Sequence, residues 1–123
     1  MKPTPAELEI LGVLWRLEKA TVREVHHELQ KTKPTGYTTA LKLMQIMADK
    51  GLVKRDERER THVYRAAVKK EQAQKRLVGE MIDRLFGGSA AELVMQALSQ
   101  RRASHREIAE IRRLLDEHER SRR

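Results

Sequence analysis

The stretch "YTTALKLMQIMADK", residues 37–50, sets side chains able to read a DNA base edge at helical spacing. On a wheel of about 100° per residue, Thr38, Lys42 and Gln45 fall together on one side, with Thr39, Leu41 and Ile46 on its shoulders. A threonine hydroxyl reaches a base edge or a phosphate, lysine pairs with guanine or phosphate, glutamine bonds adenine through two atoms, and leucine touches a thymine methyl. Opposite them, Ala40, Leu43, Met44 and Met47 form the i, i+3, i+4, i+7 stripe of a core-facing surface. A merely solvated helix would show a similar polar side, so its chemistry depends on what surrounds it.

Directly after Gly51 the pattern changes to "LVKRDERERTHVYRAAV", in which Leu52-Val53 and His62-Val63-Tyr64 flank a charged tip at residues 56–61. The β-branched and aromatic residues favour strands and the charges favour an exposed turn, which predicts a hairpin. Arg55, Arg58 and Arg60 are long cations suited to a phosphate backbone or a minor groove, and Asp56, Glu57 and Glu59 interrupt them. Alternating charge on an exposed strand also blocks aggregation, which is the plainer explanation of the tip. Arg58 and Arg60 are the wing residues expected to approach DNA, and His62 and Tyr64 are expected to pack beneath the wing.

The elements that must position these groups announce themselves through capping boxes, in which Ser or Thr and a Glu three residues on satisfy two orphan amides reciprocally. "TPAE" from Thr4, with Pro5 in the first helical position, opens a helix to about residue 18, and "TVRE" from Thr21 opens a second to about residue 31. "KPTG" at 33–36 is a turn, and Gly51 stops the third helix. A fourth helix, residues 69–86, carries Val78, Met81, Ile82 and Leu85 and ends at Gly87-Gly88. "SAAE" from Ser89 and "SHRE" from Ser104 open two shorter helices, with Leu93, Val94, Ala97 and Leu98 on one side of the first and Ile108, Ile111 and Leu115 on one side of the last.

Helix, helix, helix, hairpin is the order of a winged helix-turn-helix. The expected fold is therefore mainly α with a small β-hairpin wing: a DNA-binding domain over residues 1–68 and a helical dimerisation domain over 69–123. Helix 1 is apolar on nearly all sides, with Leu8, Leu11 and Trp15 on one and Ile10, Val13, Leu14 and Leu17 on much of the rest, so it should be covered twice. The C-terminal helices are too short to build a core alone and are plausible covers for that helix and for each other across a two-fold axis.

Composition narrows the partner. The 123 residues hold 26 Lys and Arg against 18 Asp and Glu, a net charge of +8 that favours a polyanion, with nucleic acid first. Both sides of residue 68 carry 13 basic and 9 acidic residues, so arrangement rather than total charge must define the face. The absence of cysteine excludes disulfides, thiolate metal sites and a cysteine nucleophile, and fits a reducing cytoplasm. The longest apolar run, residues 10–15, falls far below the roughly 18 residues of a membrane span, so membrane insertion is not expected.

Other functions fit less well. Ser89, Ser99, Ser104 and Ser121 lack the glycine pattern of a nucleophile elbow, and the five histidines include no HExxH pair, so neither an enzyme, a metal site nor a cofactor is expected. Single-stranded RNA binders expose stacking aromatics, whereas this chain has one Trp, two Tyr and one Phe. The stronger alternative is a winged helix used as a protein-interaction module without sequence-specific DNA binding.

With "ELEILGVLW" at 7–15, "TVREVHHEL" at 21–29, "YTTALKLMQIMADKGLV" at 37–53 and Tyr64 closing the wing, the chain resembles the penicillinase-repressor (BlaI/MecI type) family. "GG" at 87–88 and "EIAEIRRLL" at 107–115 extend the resemblance over most of the chain. It implies a homodimeric bacterial repressor that binds an operator with dyad symmetry, reads bases through Thr38, Thr39 and Leu41, and intertwines its C-terminal helices with those of the partner. Relatives often carry a basic residue where this chain has Leu41. In well-known members a membrane sensor peptidase triggers cleavage at an Asn followed by an aromatic; the matching positions here are Gln96 and Ala97, a departure from that pattern. Copper-responsive relatives use a Cys-bearing tail that this chain lacks.

Overall fold

The computed structural model describes residues 2–122 and contains six helices and one hairpin among them: α1 (Pro5–Leu17), α2 (Val22–Leu29), α3 (Tyr37–Lys50), β1 (Val53–Asp56), β2 (Val63–Ala66), α4 (Lys70–Leu85), α5 (Ala90–Gln100) and α6 (His105–Ser121). The chain divides into two compact units, one ending at Lys75 and the next beginning at Arg76, within α4. No helix among the described residues is long and apolar enough to cross a membrane.

Caps set the helix starts. Thr4 and Glu7 exchange both bonds of a capping box, as do Thr21 and Glu24. Ser89 and Ser104 accept the amides of Glu92 and Glu107 at 3.1 Å, but no bond returns from either glutamate, so these two boxes are half made. α2 stops two residues short of expectation because Thr32 and Lys33 fold back onto the Leu29 carbonyl at 3.2 and 2.9 Å. Gly51 ends α3 with φ 81°, a left-handed conformation that costs an L side chain energy, while the Leu52 amide reaches back to the Met47 carbonyl at 2.9 Å. α5, with 11 residues, is shorter than the 16-residue α4 as expected, but α6, with 17, is not; its exposed Arg113, paired with Glu110 and Glu117, supports a polar helix by local charge.

The first unit holds the buried core. Ile10, Leu11, Val13 and Leu14 of α1 meet Val22, Val25 and Leu29 of α2, Ala40, Met44 and Met47 of α3, and Leu52, Val53 and Tyr64 of the wing. α1 packs on α2, α3 and β2, so this unit by itself covers most of a helix expected to need a second cover; only Leu17 at its end is exposed among its large apolar residues. Trp15 is pinned by its ring N–H, which donates to the Val68 carbonyl at 3.0 Å. α4, α5 and α6 carry no buried side chain, and Leu85, Met95 and Leu115 stand 71, 69 and 62% exposed.

The hairpin is antiparallel, with Val53 opposite Ala66, Lys54 opposite Arg65, Arg55 opposite Tyr64 and Asp56 opposite Val63. Sequence patterning missed a third member. Ala20 donates to the Tyr64 carbonyl at 2.9 Å and accepts the Tyr64 amide at 2.8 Å, so a one-residue bridge ties the start of α2 to the wing. A single alanine between two helices has no alternation to betray a strand.

Candidate nucleic-acid interface

Helix α3 owes its orientation to its apolar stripe. Ala40, Met44 and Met47 are fully buried, and Leu43 is half-buried beside them. That anchoring leaves Thr38, Thr39, Lys42 and Gln45 exposed, in the arrangement the wheel predicts. Leu41 differs from its exposed neighbours: it is half-buried and packs against the core, so part of its side chain is committed to folding. Ile46 is exposed, and Asp49 closes the polar side at the C-terminal end of the helix. The carboxylate of Asp49 disfavours phosphate there, which leaves the N-terminal half of α3 as the part electrostatically suited to DNA.

The turn ahead of α3 is built by side chains that sequence reading did not single out. Gln30 accepts the Thr35 amide on its carbonyl oxygen at 2.9 Å, and its amide nitrogen lies 2.8 Å from His26 Nε2. The His26 ring meets the Tyr37 ring edge-on, with centroids 5.6 Å apart and planes at 80°. The i, i+4 spacing of His26 on α2 and Gln30 at its C-terminal cap was the available signal. Gly36 at the helix start makes no side-chain cap bond, so the first amides of α3 stay open toward solvent, where the helix dipole favours an anion.

The wing divides its arginines. Arg58 grips Asp56 with its Nε and Nη2 at 3.0 and 2.7 Å, and this guanidinium, with the Arg58 amide, lowers the Asp56 carboxyl to about 2. Arg55 stands apart from the other two, before the tip. It lies in β1 opposite Tyr64 and pairs with Glu57 at 2.8 Å, and contact with the Tyr64 hydroxyl and then Glu57 raises its pKa. Arg60 is exposed and makes no bond among the described residues, so of the three it is the most available to a phosphate. Tyr64 is buried as expected, and His62 is half-buried next to β2. In the second unit Gln96 and Ala97 are exposed and lie within α5, where the Gln96 carbonyl accepts the Ser99 hydroxyl at 2.9 Å.

A three-helix core with a hairpin wing and an uncovered polar side on its third helix is a winged helix-turn-helix. The sequence pattern defining the penicillinase repressor family matches residues 3–117. The chain belongs to that family. It is 23% identical to the penicillinase repressor of Staphylococcus aureus over 112 residues, covering 91% of this chain and 89% of that protein. Against the penicillinase repressor of Bacillus licheniformis it is 26% identical over 113 residues, covering 92 and 88%. Among solved structures, the solution structure of the DNA-binding domain of the repressor BlaI matches with a TM-score of 0.51 and 26% identity, over 58% of this chain and 93% of that one.

Proposed function

We propose that this protein is a bacterial transcriptional repressor that binds duplex DNA of dyad symmetry as a homodimer. The observation that carries the reading is the row Thr38, Thr39, Lys42 and Gln45, held outward by the buried Ala40, Met44 and Met47. A rigid helix backed by a packed core can enter a major groove without paying to order its side of the contact. The open amides at the start of α3 receive a phosphate, and Arg60 with Arg58 follows the backbone beside it. Arg58 must share its guanidinium with Asp56, so its contribution is the smaller.

The division of labour follows residues 1–68 for DNA and 69–123 for self-association. Support for the second part comes from Val78, Met81 and Leu85 of α4, Val94, Met95 and Leu98 of α5, and Leu114 and Leu115 of α6, all exposed. A second copy burying them removes apolar surface from water at about 25 cal/mol per Å². Acting on DNA, the protein works in the cytoplasm. A membrane sensor peptidase reaches it only indirectly, because Gln96 and Ala97 lack the family's Asn-aromatic pair and cutting between them requires α5 to open locally.

Selection from random duplexes tests the reading: a two-fold-symmetric site should be enriched, and light scattering should give twice the chain mass. Weak binding with no sequence preference would instead favour a protein-interaction winged helix. On the enriched duplex, Lys42→Ala should weaken binding and reduce the salt slope by about one unit. Unchanged affinity and slope would place Lys42 outside the interface. Thr39→Ala should lose about 1 kcal/mol or more at one or two base positions only, read by competition with single-site mutant duplexes. Equal losses on every duplex would make Thr39 a backbone contact.

A further inference from the structure

The outer side of the wing carries charge that the base-reading surface does not use. The antiparallel Ala20–Tyr64 bridge, continued by one residue, sets Lys19 beside Arg65, and Arg65 stands opposite Lys54. These three cations form a row across the sheet on the side away from Ala20 and Tyr64, which are buried. All three are exposed, and all three line one groove. None makes a side-chain hydrogen bond or salt bridge among the described residues, although the field of Arg65 reaches Asp56.

Like charges on adjacent strands repel, so the row lowers the stability of the free wing. Lysine on an outer strand has an ordinary explanation in blocking edge-to-edge pairing. That explanation covers Lys54 on β1 and Lys19 at the opposite margin. It is weaker for Arg65, because the outer side of β2 is already bridged to Ala20 at the neighbouring Tyr64. The carboxylates lining the groove neutralise the row only in part: Asp56 is held by Arg58 and Glu57 by Arg55, so Asp49, which disfavours phosphate at its own end of the groove, is left to oppose three cations. Toward the hairpin tip, Lys19 lines a second groove with Arg58 and Thr61, where Asp56 and Glu59 balance the two cations, so the excess positive charge lies at the row itself.

The geometry points to a second polyanion surface: the Lys19–Arg65–Lys54 row binds the phosphate backbone of duplex DNA flanking the stretch read by α3. The inference rests on the DNA-binding reading above and extends it. Its occupant is set by the sign and spread of the charge, three long cations over the two strands and the segment bridged to them, and by the nearness of Lys19 to Arg58 of the tip, with which it lines a groove. Each neutralised phosphate releases counterions, so the row should account for a slope of about 0.9 per contact in log affinity against log salt.

The test uses the full chain and its triple variant K19Q/K54Q/R65Q, with random-sequence duplexes of about 20 and about 40 base pairs, by fluorescence anisotropy between about 50 and 200 mM salt. For the longer duplex the variant should show a slope smaller by two to three units, so that wild type loses roughly 40-fold more affinity than the variant across that range. The variant should also lose most of the gain in affinity that wild type shows on the longer duplex, and its thermal midpoint should be no lower than that of wild type. If wild type binds, Lys42→Ala lowers its slope and the triple variant matches wild type, the row is not a DNA surface and this inference falls alone. If wild type binds neither duplex, the DNA-binding reading falls and takes the inference with it.

Discussion

Tyr64→Ala is expected to destabilise the first unit by about 3–5 kcal/mol, most of the stability of a domain this small. Tyr64 is 2% exposed and is among the largest fully buried side chains of the core. It belongs to the core cluster, on the strand that packs against α1, and its backbone makes both hydrogen bonds to Ala20. Truncation leaves a cavity beneath the wing, and the surrounding helices can close it only in part. Tyr64→Phe separates the roles: it keeps the packing and the bridge and removes the hydroxyl beside Arg55, so it should cost about 1 kcal/mol or less. Urea unfolding followed by circular dichroism reads both. A loss below about 1 kcal/mol for the alanine variant would mean that the wing is not part of the cooperative core.

The second large effect concerns a buried carboxylate. Glu7 is 1% exposed, yet it accepts the Thr4 amide at 2.8 Å and the Lys50 ammonium at 2.9 and 3.0 Å. It thereby ties the start of α1 to the end of α3, the helix that must be aimed. Burial raises the pKa of Glu7, but the Thr4 amide and Lys50 together outweigh it, so the net position is below the ordinary glutamate value. Glu7→Ala should cost about 2–3 kcal/mol, since it removes the returning cap bond and leaves Lys50 without its partner; the partial exposure of Lys50 keeps the loss below that of a fully buried pair.

The same pair sets an acid limb of stability. Because the folded pKa is depressed, the unfolded chain binds more protons just below the ordinary value of about 4.3. The stabilisation is therefore complete above that value and disappears as pH falls through the lower, folded one. Glu7→Gln should flatten this limb, and Lys50→Met should shrink it, because burial then opposes the Thr4 amide with no ammonium to help. Urea midpoints measured from neutral pH into acid check the claim; parallel profiles for wild type and Glu7→Gln would exclude Glu7 as the titrating group.

Much of this molecule was legible before folding was considered. Thr4, Thr21, Ser89 and Ser104 marked helix starts because a cap is a local bargain between residues three apart, and Gly51 marked a stop because its conformation is local too. The polar side of α3 followed from periodicity alone. The partial burial of Leu41 did not, since a shoulder position on a wheel becomes core or surface according to which neighbour arrives beside it.

The sequence by itself determined the order of elements, the basic balance and which side of α3 turns inward, because each depends on spacing within a few residues or on summed charge. Only the tertiary structure decided how Glu7 meets Lys50 from 43 positions away, how Ala20 joins the wing, and how Lys19, Arg65 and Lys54 come to share one row. Those pairings join segments distant along the chain, and no local preference encodes which distant partner a buried carboxylate or an open strand edge will find.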